Sequence, residues 1–64
     1  MENMAQNFMA EIAAFLQKTG MSVTAFGKLS VNDPAFFPRL KSGRSPTLRI
    51  IARVQEFMRR YEPQ

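Results

Sequence analysis

The sequence contains no cysteine, no histidine and no tryptophan, and only three glycines in 64 residues. Without cysteine, neither a disulfide nor a thiolate metal site can form. Without histidine, the commonest general base and a common zinc ligand are missing as well. The carboxylates Glu2, Glu11, Asp33, Glu56 and Glu62 are scattered along the chain and make no spaced catalytic pair. No enzyme activity, metal or other cofactor is therefore expected. The chain is also too short to enclose a pocket of ordinary size, so no small-molecule substrate is expected. No apolar run approaches the ~18 residues of a membrane span. The N-terminus, Met1-Glu2-Asn3-Met4, lacks the basic flank of a signal peptide. The absence of cysteine is compatible with the cytosol.

What remains is one domain, residues 1–64, of an all-α class, because no strand pattern occurs. A chain of about 60 residues buries only roughly 60% of its unfolded surface. Stability must come from helix packing, ligand binding or self-association. The net charge is +4, and it is unevenly placed. Residues 1–37 carry Lys18 and Lys28 against Glu2, Glu11 and Asp33. Residues 38–60 carry Arg39, Lys41, Arg44, Arg49, Arg53, Arg59 and Arg60 against Glu56 alone. A basic half of this kind suits a polyanion, and arginine forms forked contacts to phosphate and guanine better than lysine does. A merely solvated basic face is the plainer alternative.

Four helices are expected, over 4–19, 23–29, 34–42 and 46–61. In the first, Ala5, Phe8, Ile12, Phe15, Leu16 and Thr19 recur at helical spacing. Asn3 and Gln6 resemble a capping box, and Gly20 suits the left-handed position at the end. Ser22 is a candidate cap for the second helix, whose Phe26, Leu29 and Val23 must be buried for so short an element to hold. Gly27 costs about 1 kcal/mol relative to alanine inside a helix; a close crossing by the next helix would explain it, and simple tolerance would too. Ser30-Val31-Asn32 reads as a turn. Asp33 then caps a third helix, with Pro34 at its first position and Gly43 past its end. Pro38 should distort the first turn, leaving regular helix from about Phe37. Phe37 and Leu40 should point inward, with Phe36 shared between core and rim. Ser45 and Pro46 should begin the fourth helix, and Pro63 should mark its end. The expected core is Phe8, Ile12, Phe15, Leu16, Phe26, Leu29, Leu40, Leu48, Ile51 and Val54. Two short helices joined by about 3–4 residues have the geometry of a DNA-binding helix-turn-helix.

The stretch from Ser22 to Gly43 resembles the helix-turn-helix of phage-repressor-like (Cro/XRE-type) proteins, in their short bacterial version. The residues that carry the likeness are Phe26-Gly27-Lys28, Asp33-Pro34-Ala35-Phe36 and Leu40-Lys41-Ser42-Gly43-Arg44. The resemblance implies a compact four-helix, lambda-repressor-like fold. It also implies sequence-specific binding of double-stranded DNA and regulation of transcription, in the cytoplasm and associated with the nucleoid. The alternative is a protein-interaction module on the same fold, such as an antitoxin or a phage-type adaptor, without specific DNA binding.

On the DNA-binding reading, the recognition helix is about 34–42, and its outward side supplies base contacts. Arg39 suits a guanine, Lys41 lies beside it, and Ala35 suits a thymine methyl. Ser22, Thr24, Arg44, Arg49 and Arg53 suit phosphates. The fourth helix carries two apolar rows, wider together than one packing face requires. Ile50, Phe57, Met58 and Tyr61 are the surplus, and a homodimer through them would place two recognition helices about 34 Å apart.

Overall fold

The structure, a computed structural model, describes residues 4–61, with side chains from Asn7 onward. The cap expected at Asn3 and the stop at Pro63 lie outside the described residues. Four helices follow one another: α1 Met4–Thr19, α2 Val23–Val31, α3 Phe36–Lys41 and α4 Leu48–Arg60. Among the described residues there is no strand, and no helix is long and apolar enough to cross a membrane.

The core takes side chains from all four helices. Phe8 and Ile12 come from α1, Phe26 from α2, Phe36 and Leu40 from α3, and Val54 from α4; all six are buried. Aromatic rings tie the elements in pairs. Phe8 meets Phe36 edge-on, with ring centroids 6.4 Å apart, and joins α1 to α3. Phe15, Phe26 and Phe57 meet one another at 5.7 to 6.0 Å and join α1, α2 and α4. Tyr61 closes on Phe15 at 5.5 Å. Contacts of this geometry add about 0.5–1.5 kcal/mol each beyond the area they bury.

Three burial assignments are corrected. Leu29, Leu48 and Val23 are exposed, at 61%, 76% and 38%; Val23 opens α2, where no neighbouring helix covers it. At about 100° per residue, Phe26, Ser30 and Gly27 span one buried arc of α2, and Leu29 falls about 60° outside it. On α4, Leu48 lies about 120° round from Val54, beyond the half-buried Ile51. Ser30 is the one buried polar residue among those described, and its hydroxyl donates to the Phe26 carbonyl at 2.7 Å.

The helix ends show which local signals prevailed. Ser22 caps α2 as expected, its Oγ accepting from the Ala25 N–H at 3.1 Å. α2 continues to Val31, two residues past the expected end, and Asn32 takes a left-handed conformation with φ 56°. α3 begins at Phe36 rather than Pro34. Asp33 does not cap a helix; its Oδ1 accepts from the Ala35 N–H at 3.1 Å within the turn. The later start places Pro38 third in α3, inside the first turn, where a missing N–H breaks no intrahelical bond. It also makes Phe36 and Leu40, four residues apart, the buried pair, while Phe37 is half-buried. At the other end, the Gly43 N–H reaches the Leu40 carbonyl and the Arg44 N–H the Arg39 carbonyl, both at 3.1 Å. With Gly43 at φ +106°, this is a Schellman stop. The cap of α4 is Thr47, whose Oγ1 accepts from the Ile50 N–H at 3.1 Å. Ser45 and Pro46 precede that helix.

Candidate nucleic-acid interface

Residues 32–35 join α2 to α3, and the main chain there is held from two sides. The Asp33 N–H donates to the Gly27 carbonyl at 3.0 Å. The Asp33 carbonyl lies so close over α2 that a Cβ on Gly27 would stand 2.2 Å from its oxygen. Gly27 thus sets how tightly α3 folds back. The close approach comes from the turn backbone, with the Cβ of Phe36 next at 3.2 Å.

α3 turns Phe36 and Leu40 into the core and leaves Arg39 and Lys41 exposed. Arg39 is not loose: its Nη1 donates to Asp33 Oδ2 at 2.7 Å, across the start of the helix. Ala35, expected against a thymine methyl, is half-buried just before α3. Ser22 and Thr24 are exposed at the start of α2, and the Ser22 hydroxyl oxygen is engaged in its cap.

Arg39 and Arg44 line one open cleft of about 320 Å³, floored by Val31, Phe36, Leu40 and Ile50. Arg49 and Arg53 do not line it, but α4 presents them on the bordering side. At about 100° per residue, Arg49, Arg53 and Arg60 fall within a sector of roughly 40° on the Ile50 side of α4. Leu48, Ala52, Gln55 and Arg59 occupy the opposite side, along the grooves between α4 and α1. The helical period therefore sorts the charges of α4, with Arg49, Arg53 and Arg60 on the side that carries Ile50 and Arg59 on the side that faces the grooves with α1.

Neutralisation is sparse. Glu56 is bonded to Arg59, and Asp33 to Arg39. Among the described residues, Lys41, Arg44, Arg49, Arg53 and Arg60 form no ion pair, and all are exposed.

The residues expected at a dimer interface have partners inside the chain. Phe57 packs its ring on Phe15 and Phe26, and Tyr61 on Phe15 and Phe57. Ile50 and Met58 pack against the core. The breadth of apolar surface on α4 is used to meet α1 on one side and α2 and α3 on the other.

The Asp33–Arg39 pair was not visible from spacing. Six residues across a turn follow no helical-face rule, and Asp33 before proline reads first as a cap. No family model, no curated protein and no solved structure matches the chain.

Proposed function

We propose that the protein binds double-stranded DNA and selects its site by sequence, as a regulator of transcription. On this reading α2, the turn and α3 form a helix-turn-helix, and α3 enters the major groove. The observation that carries it is the concentration of exposed cations over residues 39–60, namely Arg39, Lys41, Arg44, Arg49, Arg53 and Arg60, with Arg39 alone among these six matched by a carboxylate among the described residues. A duplex presents a dense row of phosphates, and unpaired exposed cations release its counterions on binding.

Selection of bound duplexes from a random pool, followed by salt titration, tests the proposal. Arg39→Ala is expected to cost about 1–3 kcal/mol on the selected site and to relax preference at one base position. Arg49→Ala should weaken all duplexes alike and reduce the salt slope by about 1. Affinity that does not depend on salt, or a pool that yields no consensus, rejects sequence-specific binding.

We also propose two copies per site, because one short helix reads few base pairs. With Phe57 and Tyr61 engaged inside the chain, the duplex itself supplies the pairing, on two half-sites. Sedimentation at micromolar concentration should show monomers alone and a two-to-one complex on a palindromic duplex. A one-to-one complex at saturation rejects it.

The grooves between α1 and α4 favour a second reading, a protein-interaction module. They are bordered by the exposed Leu48 and the half-buried Ile51. A basic surface indifferent to duplex DNA, with salt slope near zero, would select that reading.

A further inference from the structure

The ion pair at the start of α3 joins the residue best placed to read a base to one of the few carboxylates in the chain. Both oxygens of Asp33 are in use. Oδ1 accepts from the Ala35 N–H at 3.1 Å, and Oδ2 accepts from Arg39 Nη1 at 2.7 Å. The main chain that carries this carboxylate is held against Gly27, both by the Asp33 N–H bond at 3.0 Å and by close contact of its carbonyl. The Asp33 side chain is 28% exposed and that of Arg39 51%. A nearly fixed acceptor thus holds the end of a long side chain whose base lies on α3.

We propose that Asp33 is a positioning residue that makes Arg39 a reader of guanine instead of a phosphate contact; this rests on the DNA-binding reading above. Two physical effects support it. The first is order. A free arginine has many rotamers, and the freedom among them must be surrendered on binding. A guanidinium already held through Nη1 surrenders less of it. The Nε–H and Nη2–H groups have no partner among the described residues. They form a parallel pair of donors, which is the pattern that the O6 and N7 acceptors of guanine require.

The second effect is charge. A phosphate approaching Arg39 meets the Asp33 carboxylate with it, so the attraction of the cation is offset by repulsion between two anions. Guanine is uncharged and presents its acceptors without that repulsion. Asp33 therefore weakens binding to any sequence while sparing the contact that discriminates, which is specificity obtained by penalising the wrong partner. An exposed ion pair that served only the fold would contribute little to stability. It would alter melting without altering the ratio of affinities.

Asp33→Asn separates these roles, because asparagine keeps an acceptor for the Ala35 N–H and removes the charge. Wild type and variant are titrated with the duplex selected by the wild type and with a random duplex, at several salt concentrations. The variant should bind the random duplex more tightly, with a salt slope steeper by about 0.9 as Arg39 becomes available to one more phosphate. The ratio of selected to random affinity should fall about tenfold. Arg39→Lys supplies an independent reading, since lysine keeps the charge but has no planar fork that Asp33 can hold by one nitrogen while the other edge faces the base. It should retain the random-duplex affinity and lose the discrimination, and it preserves the Asp33 turn. An unchanged affinity ratio in Asp33→Asn, or full discrimination in Arg39→Lys, overturns the proposal. If the wild type binds no duplex, the DNA-binding reading falls and the role of Asp33 falls with it. If it binds and discriminates but the variants do so equally well, only the role of Asp33 is rejected.

Discussion

Phe26→Ala is expected to lower the melting temperature by at least about 12 °C, since about 1 kcal/mol corresponds to roughly 4–8 °C in a domain of this size. Phe26 is fully buried, and its ring meets Phe15 and Phe57, each at 5.7 Å. It is the large core residue of α2, a helix of nine residues and too short to persist in water without tertiary contacts. Truncating a buried phenylalanine costs about 3–5 kcal/mol, through lost transfer energy and the cavity left behind. Small domains have about 0.05–0.15 kcal/mol of stability per residue, so the loss is comparable with the whole. Thermal melts followed by helical circular dichroism measure it. A variant that melts within a few degrees of the wild type would show that the ring cluster does not hold α2 in place.

The second large effect is expected from Gly27→Ala. Helix propensity alone predicts a gain of about 1 kcal/mol for this change. The structure predicts the opposite sign. The new Cβ would lie 2.2 Å from the Asp33 carbonyl oxygen and 3.2 Å from the Phe36 Cβ. Side chains can rotate away from a neighbour, but here the nearest obstacle is backbone. That backbone is held by the Asp33 N–H bond to Gly27 and by the start of α3. Overpacking commonly costs about 1–3 kcal/mol, and a rigid obstacle places this case at or above the upper end. Set against the propensity gain, a net loss of about 2 kcal/mol or more is expected; on the DNA-binding reading proposed above, DNA binding should weaken with it, because the turn before α3 must open. Gly20→Ala is the control: Gly20 has positive φ but nothing within 4 Å of a Cβ. It should show only the ~1–2 kcal/mol of left-handed strain. A Gly27→Ala variant more stable than the wild type would mean that the turn does not rest on α2.

Features fixed within one helical turn were legible in the sequence. The Ser22 cap, the Gly43 stop and the extent of α1 follow from residues a few positions apart. So do the all-helical class and the stripe that buries Phe8 and Ile12. The unequal distribution of charge was legible too, because it is a property of composition. Two plausible caps for α4, Ser45 and Thr47, differ only in where the preceding loop leaves the chain, and local chemistry does not choose between them. Leu29 and Leu48 have the hydrophobicity of core residues, but burial depends on which helix covers which arc.

The sequence by itself determined four helices, both ends of α1, the start of α2, the glycine stop after α3 and a basic second half, because helix periodicity and capping act over three or four residues. Tertiary structure decided three further things. It placed the Asp33 backbone over Gly27, which turns a helix-weakening glycine into a requirement of the turn. It engaged the broad apolar face of α4 with neighbours on both sides, so that Phe57 and Tyr61 have partners within one chain. It also brought Asp33 to Arg39, whose meeting depends on how a turn folds back rather than on any regular spacing. These are contacts between segments, and their geometry exists only once the helices have packed.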